Sequence, residues 1–143
     1  MPNVQRLAEA FWVAVVSIKR DQADKWFSSV VRLAKHSMCE NCGKEGRTEC
    51  AHIFGRRAKS VRYSLDNAVC LCHYCHKDFT ANPVEFTYWI TGRLGQGHMD
   101  ILREKWQTVM PTTKLLRKEI ARHYREEHKK MIIDGSYVPI SYN

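Results

Sequence analysis

Residues 39–76 read CENCGKEGRTECAHIFGRRAKSVRYSLDNAVCLCHYCH. This stretch contains two Cys-x2-Cys pairs, Cys39 with Cys42 and Cys72 with Cys75, and 29 residues separate the pairs. Zinc in structural sites prefers four soft ligands in a tetrahedron, and a two-residue spacer lets a tight turn present both sulfurs to one ion. The spacing therefore predicts a four-cysteine zinc site whose binding free energy helps to fold this short stretch. A plain structural zinc ribbon is the alternative.

The two remaining cysteines do not fit the same pattern. Cys70 lies on a predicted strand next to the second pair, and we expect it to face away from the metal as a small buried hydrophobe. The sequence leaves the role of Cys50 open. No secretion-signal pattern is visible, and in a reducing compartment paired cysteines are typical of metal sites rather than disulfides. We therefore expect a cytoplasmic protein.

Length and charge limit the class of partner. The chain has 143 residues, which suits one domain, and carries a formal net charge of +8 with a pI near 9.3. A basic chain favours a polyanionic partner such as nucleic acid. The apolar run at residues 10–18 is too short to span a bilayer, so we expect no membrane association.

The hydrophobic periodicity predicts helices on both sides of the cysteine-rich stretch. Turns, a β-hairpin and a short strand at residues 69–71 are expected within that stretch, followed by a helix that starts near Cys75. The chain then divides into N-terminal helices (1–36), a zinc-bound unit (37–80), and C-terminal helices with an irregular tail (81–143). The predicted helices cover residues 3–20, 22–34, 82–92, 99–109 and 113–131. The fold class is α+β in a single domain, 1–143.

Three polar residues near the cysteines suit phosphodiester hydrolysis, which needs an activated water and a cation at the scissile phosphate. They are His52, Asn67 and His76. A neutral histidine can take a proton from water, and a hard cation can stabilise the developing charge. An asparagine side chain or a backbone carbonyl can hold the histidine in the required orientation. Alone, His52 could equally be a solvated side chain or a zinc ligand.

The runs ECAHIFGRR (49–57) and SLDNAVCLCHYCH (64–76) resemble the HNH endonucleases of the ββα-metal, or His-Me finger, superfamily. The resemblance is strongest to the phage-type branch in which zinc-binding Cys-x2-Cys pairs surround the catalytic finger. The NinG recombination proteins and the endonuclease VII group belong to that branch. The resemblance covers residues 39–80 and implies a zinc-stapled ββα-metal finger flanked by N- and C-terminal helices.

The resemblance also implies a role for each of the three polar residues. His52 would be the general base, Asn67 would tether the loop and orient that base, and His76 would bind the catalytic cation. The implied cation is Mg²⁺ or Mn²⁺, and the implied products end in 5′-phosphate and 3′-hydroxyl. The implied activity is a metal-dependent DNA endonuclease in phage recombination, replication or packaging, acting in the host-cell cytoplasm.

Two positions depart from the family pattern. Most HNH proteins carry a metal ligand directly before the general base, where this chain has Ala51. Many also carry a histidine four residues after the helical metal ligand, where this chain has Thr80. Glu49, Cys50 or water would have to supply the missing ligand, and a thiolate there would favour a transition ion over Mg²⁺.

A basic segment follows the candidate base directly and contains Arg56, Arg57, Lys59 and Arg62. Its charges can hold the phosphates that flank a scissile bond in duplex or branched DNA, giving affinity without sequence choice. A solvated basic loop is the alternative.

A non-catalytic zinc-finger DNA-binding protein on an HNH-derived scaffold is the second functional hypothesis. The amphipathic helices permit a homodimer, and an interaction subunit of a phage packaging machine is a third hypothesis.

Overall fold

The computed structural model describes residues 19–142 of the chain. The helix predicted for residues 3–20 lies outside this range apart from its last two residues. The described part contains five α-helices and one two-stranded antiparallel sheet. The α+β class predicted from the sequence is therefore confirmed.

The first described helix, α1 (Gln22–Ala34), begins at a reciprocal cap. The Asp21 carboxylate accepts the backbone N–H of Asp24, and the Asp24 carboxylate accepts the N–H of Asp21. Such a capping box satisfies two N–H groups that have no partner within the helix. The apolar face of α1 carries Phe27, Val30 and Val31, all of which are buried.

The sheet pairs β1 (Thr48–His52) with β2 (Ala68–Cys72). Cys50 lies opposite Cys70 and His52 lies opposite Ala68, while a long loop (53–67) connects the two strands. Because side chains alternate along a strand, Cys50 and Cys70 face one side of the sheet and Ala51 and Val69 face the other. The sheet therefore separates two apolar clusters.

The first cluster lies between the sheet, α1 and the last helix, and the second lies under the helices that follow β2. The first includes Phe27, Cys70 and Tyr124, and the second includes Val69, Leu71 and Ile90. Cys70 is fully buried in the first cluster, as expected, whereas Cys72, at the end of β2, belongs to the second.

Four helices follow the sheet: α2 (His73–Ala81), α3 (Pro83–Leu94), α4 (Gln96–Gln107) and α5 (Lys114–Asp134). The short helix α2 packs against both strands and against α3, whereas α5 packs along α1. Helix α5 ends at Gly135, whose φ of 64° is the left-handed conformation typical of a glycine C-cap. Within residues 19–142 no helix is long and apolar enough to cross a membrane.

The segment after α5 is irregular, as predicted, but it folds back onto the molecule. Ser141 Oγ accepts the backbone N–H of Leu65 at 3.1 Å, and the N–H of Tyr142 donates to the Tyr124 hydroxyl at 3.0 Å. The buried Tyr124 hydroxyl in turn donates to the carbonyl of Tyr63. The tail and α5 thus fix the loop between the strands from one side.

Candidate metal centre and active site

The sulfur atoms of four cysteines meet where the turn after α1 approaches the start of α2. The four residues are Cys39, Cys42, Cys72 and Cys75, and their Sγ atoms all lie within 4.8 Å of one another. Cys72 ends β2 and Cys75 lies in the first turn of α2, so a strand-to-helix junction supplies one pair. A tight turn, closed by the Gly43 N–H donating to the Cys39 carbonyl, supplies the other pair.

The geometry of the four sulfurs fits zinc. A tetrahedron with a Zn–S distance of about 2.3 Å has sulfur–sulfur edges of about 3.8 Å. The Sγ atoms of Cys42 and Cys72 are 3.8 Å apart. Although burial opposes ionisation, backbone N–H groups of Cys42, Cys72 and Asn41 lower the pKa of the Cys39 thiol to about 6. The donor set can therefore hold a metal ion such as zinc.

Glu40, inside the first cysteine pair, connects this site to the sheet. Its carboxylate accepts the backbone N–H of Cys70 at 2.7 Å and contacts Arg93 and Lys35 at 3.0 and 3.6 Å. The side chain is 7% exposed, so these partners compensate a nearly buried charge. The first cysteine pair is thus fixed to β2 by a polar contact as well as by any bound ion.

Asn67 lies at the end of the loop between the strands and is fully buried. Its side-chain oxygen accepts the N–H of Phe54 at 2.7 Å, and its side-chain nitrogen donates to the carbonyls of Phe54 and Val61 at 2.8 and 3.1 Å. One amide therefore ties both ends of the loop together.

His52, the last residue of β1, is held by the same loop. Its Nε2 lies 2.9 Å from the carbonyl oxygen of Arg62, so Nε2 carries the proton and donates. This leaves Nδ1 as the unprotonated nitrogen of the neutral ring. Burial against Phe27 and α1 lowers the pKa of His52 to about 4, and the nearby Arg56 guanidinium acts in the same direction. The ring is therefore neutral near pH 7.

His52 and His76 line one small cavity of about 160 Å³. The cavity lies between the sheet and helices α2 and α3, and its wall includes Ala51 and Thr80. Ala51 is buried and offers no ligand atom, and the Thr80 hydroxyl donates to the carbonyl of His76. Two of the three predicted reactive residues thus line one cavity, although the His52 ring itself packs against Phe27 of α1, and the third fixes the adjoining loop.

Glu49 lies on the α2 side of β1. Its carboxylate oxygen Oε1 is 3.3 Å from Nδ1 of His76 and 3.3 Å from Nδ1 of His73. Glu49 and His76, both expected from the sequence as cation ligands, are therefore adjacent. Among residues 19–142, only the four cysteines form a group of three or more ligand residues whose ligand atoms all lie within 4.8 Å of one another.

Cys50 is not brought together with these residues. It faces the opposite side of the sheet from Glu49, against the cluster that includes Cys70. Burial raises the pKa of the Cys50 thiol to about 12, so the thiol stays protonated near neutral pH. This placement argues against the expectation that Cys50 supplies a cation ligand.

The four residues of the basic segment have different surroundings. Arg57 and Lys59 are exposed, and Arg56 is half-buried. Within the described part of the chain, the buried Nη1 atom of Arg56 has no hydrogen-bond partner. Arg62, by contrast, is buried and its guanidinium Nε donates to the Asp24 carboxylate at 3.0 Å. Although burial opposes ionisation, this partner keeps the pKa of Asp24 below its ordinary value.

Arg62 is therefore buried in an ion pair, not exposed for phosphate contacts as the sequence predicted. Its ion pair with Asp24 and the contact of its guanidinium with the Lys19 carbonyl anchor the loop to the start of α1. Tyr63 adds a second anchor, because its hydroxyl donates to Asp21 at 2.8 Å. The segment alternates exposed and buried positions, which a count of charges along the sequence does not show.

His73 and Glu40 are not among the residues that the sequence predicts for the site. The predicted helix start at Cys75 left His73 before the helix, whereas α2 begins at His73 and places it three residues from His76. That i, i+3 spacing of histidines is a signal that a correct helix boundary would have exposed. No signal marks Glu40, because its closest partners, Cys70 and Arg93, are distant in the sequence.

No protein family model, no curated protein and no solved structure matches this chain.

Proposed function

We propose that this protein is a metal-dependent DNA endonuclease of the HNH type, with β1, β2 and α2 as its ββα-metal finger. The observation that carries the proposal is the shared cavity of His52 and His76, together with the loop that orients His52. A histidine held neutral by burial beside a candidate cation ligand is a suitable arrangement for activating water at a phosphodiester.

The chemistry of each residue follows from its hydrogen bonds. Since His52 donates through Nε2 to a backbone carbonyl, its Nδ1 can accept a proton from a water molecule that attacks phosphorus. Asn67 does not touch the water but holds the loop that supplies this carbonyl. Asn67 is therefore a positioning residue, and His52 is the general base.

His76 would hold the catalytic cation, with Glu49 beside it. When bound, Mg²⁺ or Mn²⁺ would stabilise negative charge on the scissile phosphate and on the leaving 3′-oxygen. The 3.3 Å separation of a carboxylate oxygen and an imidazole nitrogen is compatible with two ligands of one ion. Glu49 can thus compensate for Ala51, which has no donor atom.

Phosphate contacts would come from the loop beside the cavity. Arg57 and Lys59 are both exposed and can donate to phosphate oxygens from solvent. Contacts of this type position a duplex or a branched DNA without reading bases. The net charge of +8 supports the same class of partner.

A non-catalytic zinc-containing DNA-binding protein is the second candidate. The observation that favours it is Ala51, which is buried in the apolar cluster at the position where most HNH proteins carry a cation ligand. In that case the four cysteines would hold zinc and the basic loop would bind DNA, and the cavity of His52 would have no chemical role.

The two candidate functions can be distinguished by incubating the protein with supercoiled plasmid and Mg²⁺ or Mn²⁺. An endonuclease converts the plasmid to nicked or linear forms, and a chelator that removes the added cation stops the reaction. A plasmid that stays intact with every divalent ion, while the protein still retards it in a gel, would eliminate the endonuclease and leave the binding protein.

A further inference from the structure

We propose that Glu49, His73 and His76 form one cation site with two imidazole donors and one carboxylate donor, which takes Mn²⁺ or another first-row transition ion in preference to Mg²⁺. Cation binding at this site does not depend on the proposed function. Only the use of the bound cation in catalysis, beside the candidate base His52, rests on it. The new element of the site is His73, which makes the ligand set richer in nitrogen than Mg²⁺ favours.

The carboxylate of Glu49 lies between the two histidines. Its Oε1 is 3.3 Å from each Nδ1, and its Oε2 is 3.4 Å from Nδ1 of His73. Ligands at about 2.1 Å from one ion lie roughly 3–4 Å from each other, so each histidine already stands at a suitable distance from the carboxylate.

The backbone explains why the three side chains meet. His73 and His76 occupy the first turns of α2 and, three residues apart, lie on the same side of that helix. Glu49 pairs with Leu71 in the sheet and faces the side on which α2 packs. Two rigid elements therefore supply the donors, and no loop must reorganise to bring them together.

One movement is needed to close the site. Because the four cysteines are the only such group within residues 19–142 with every ligand atom inside 4.8 Å, the two imidazoles must still approach each other. The His73 side chain is 69% exposed, so it can rotate toward His76 with little loss of packing. Without a cation, contacts among side chains that are a third or more exposed contribute little to stability.

The donor set determines which ion is preferred. Imidazole nitrogens suit first-row transition ions, whereas Mg²⁺ favours oxygen ligands and retains several waters. Mn²⁺ is the best probe, because it accepts carboxylate and imidazole but competes weakly for the thiolates that hold zinc. The site can then be titrated while the four-cysteine site remains filled.

The test is a titration with Mn²⁺ of the full chain loaded with one equivalent of zinc, with free Mn²⁺ measured from its aquo-ion signal by electron paramagnetic resonance. We expect one Mn²⁺ per chain and at least about tenfold weaker binding in each of Glu49→Gln, His73→Gln and His76→Gln. Two exposed residues provide matched controls, Asp78→Asn on α2 and His36→Gln, and neither should change the affinity. Mg²⁺ should compete at least about tenfold more weakly than Mn²⁺.

Two results would overturn the proposal: no Mn²⁺ bound by the wild type, or binding unchanged in His73→Gln while His76→Gln loses it. Circular dichroism of each variant excludes loss of the fold as the cause. The cation site and the proposed function can be refuted independently of each other. If Mn²⁺ binds through the three residues but plasmid is not cleaved, the site stands and the endonuclease does not. If plasmid is cleaved and His73→Gln binds Mn²⁺ normally, the endonuclease stands and this ligand set does not.

Discussion

At the scale of single residues, Asn67 and His52 show how a buried polar group acquires a role from its partners. The amide of Asn67 satisfies three backbone groups at once, which explains how a polar side chain can be fully buried. His52 reaches the same loop through one ring nitrogen and leaves the other available. The two residues act together, because Asn67 holds the loop in place and His52 is oriented by a carbonyl of that loop.

Replacing Asn67 by alanine should destabilise the protein by about 2–4 kcal/mol, because it leaves buried backbone donors and acceptors unpaired. The measurement is urea denaturation followed by circular dichroism. Asn82→Ala is the matched control, since Asn82 is exposed and its side-chain amide donates, within residues 19–142, only to Asp78. An equal loss of stability in both variants would contradict the role assigned to Asn67.

Burial of His52 makes stability depend on pH. The pKa of His52 falls from an ordinary 6.5 to about 4 in the folded state, so between these values the unfolded chain binds more protons. The free energy of unfolding should therefore decrease as pH falls from about 6.5 toward 4, and the loss should be smaller in His52→Gln. Denaturation of both proteins at pH 7 and pH 5 measures this. Comparing the two proteins cancels effects of pH on metal binding, and identical pH slopes would count against a buried neutral His52.

At the scale of elements, the four cysteines join an irregular turn and the short helix α2 to the buried strand β2. The turn of the first cysteine pair (39–44) contains no regular structure, and α2 buries no residue fully. A metal ion bound to these sulfurs would therefore contribute much of the folding free energy of this part of the chain.

Removing one sulfur should release the metal. We expect one zinc per chain in the wild type by elemental analysis, and less than half of that in Cys42→Ser, together with a lower melting temperature. Cys50→Ala is the control, because Cys50 lies against the other cluster and should retain a full zinc complement. Zinc content unchanged in Cys42→Ser would show that the four-cysteine site is not the site of binding.

The sequence predicted these elements well where local signals are strong. The bounds of α1 agree with the prediction, and the proline after Asn82 marks the start of α3. The Asn82 side chain, however, donates to Asp78 instead of capping α3. The start of α2 was displaced by two residues, because Cys72 caps the helix through its sulfur and the sequence pattern gives no sign of such a cap. That displacement concealed His73.

At the scale of the whole molecule, long-range contacts decide which charges face solvent. Asp24 of α1 and Arg62 of the loop lie 38 residues apart in sequence and form a buried ion pair. The sequence places Arg62 among four equivalent cations, and only the packing of α1 against the loop distinguishes it from Arg57. The four cysteines could be recognised from their spacing and Asn67 from the resemblance to the HNH endonucleases, whereas burial of single charges could not be predicted.

Because Arg57 is exposed and Arg62 is buried, we expect replacement of Arg57 to affect DNA binding and replacement of Arg62 to affect stability. Arg57→Gln should leave stability within about 0.5 kcal/mol and weaken DNA binding, with a decrease of about 1 in the slope of log K against log salt. Arg62→Gln should instead cost about 3–5 kcal/mol of stability, because it leaves Asp24 buried without its partner. Denaturation and DNA-binding titrations at several salt concentrations measure both effects. The distinction would be refuted if Arg57→Gln destabilised the fold as much as Arg62→Gln.

The central claim is that His52 activates water for phosphodiester hydrolysis. Its most direct test is the single-turnover rate of plasmid nicking, with Mn²⁺ present, for the wild type and His52→Ala. His36→Ala serves as the control, since His36 is exposed and outside the cavity. We predict that His52→Ala lowers the rate roughly 10²–10⁴-fold while the control cleaves normally. A folded His52→Ala protein that nicks plasmid at the wild-type rate would contradict the claim.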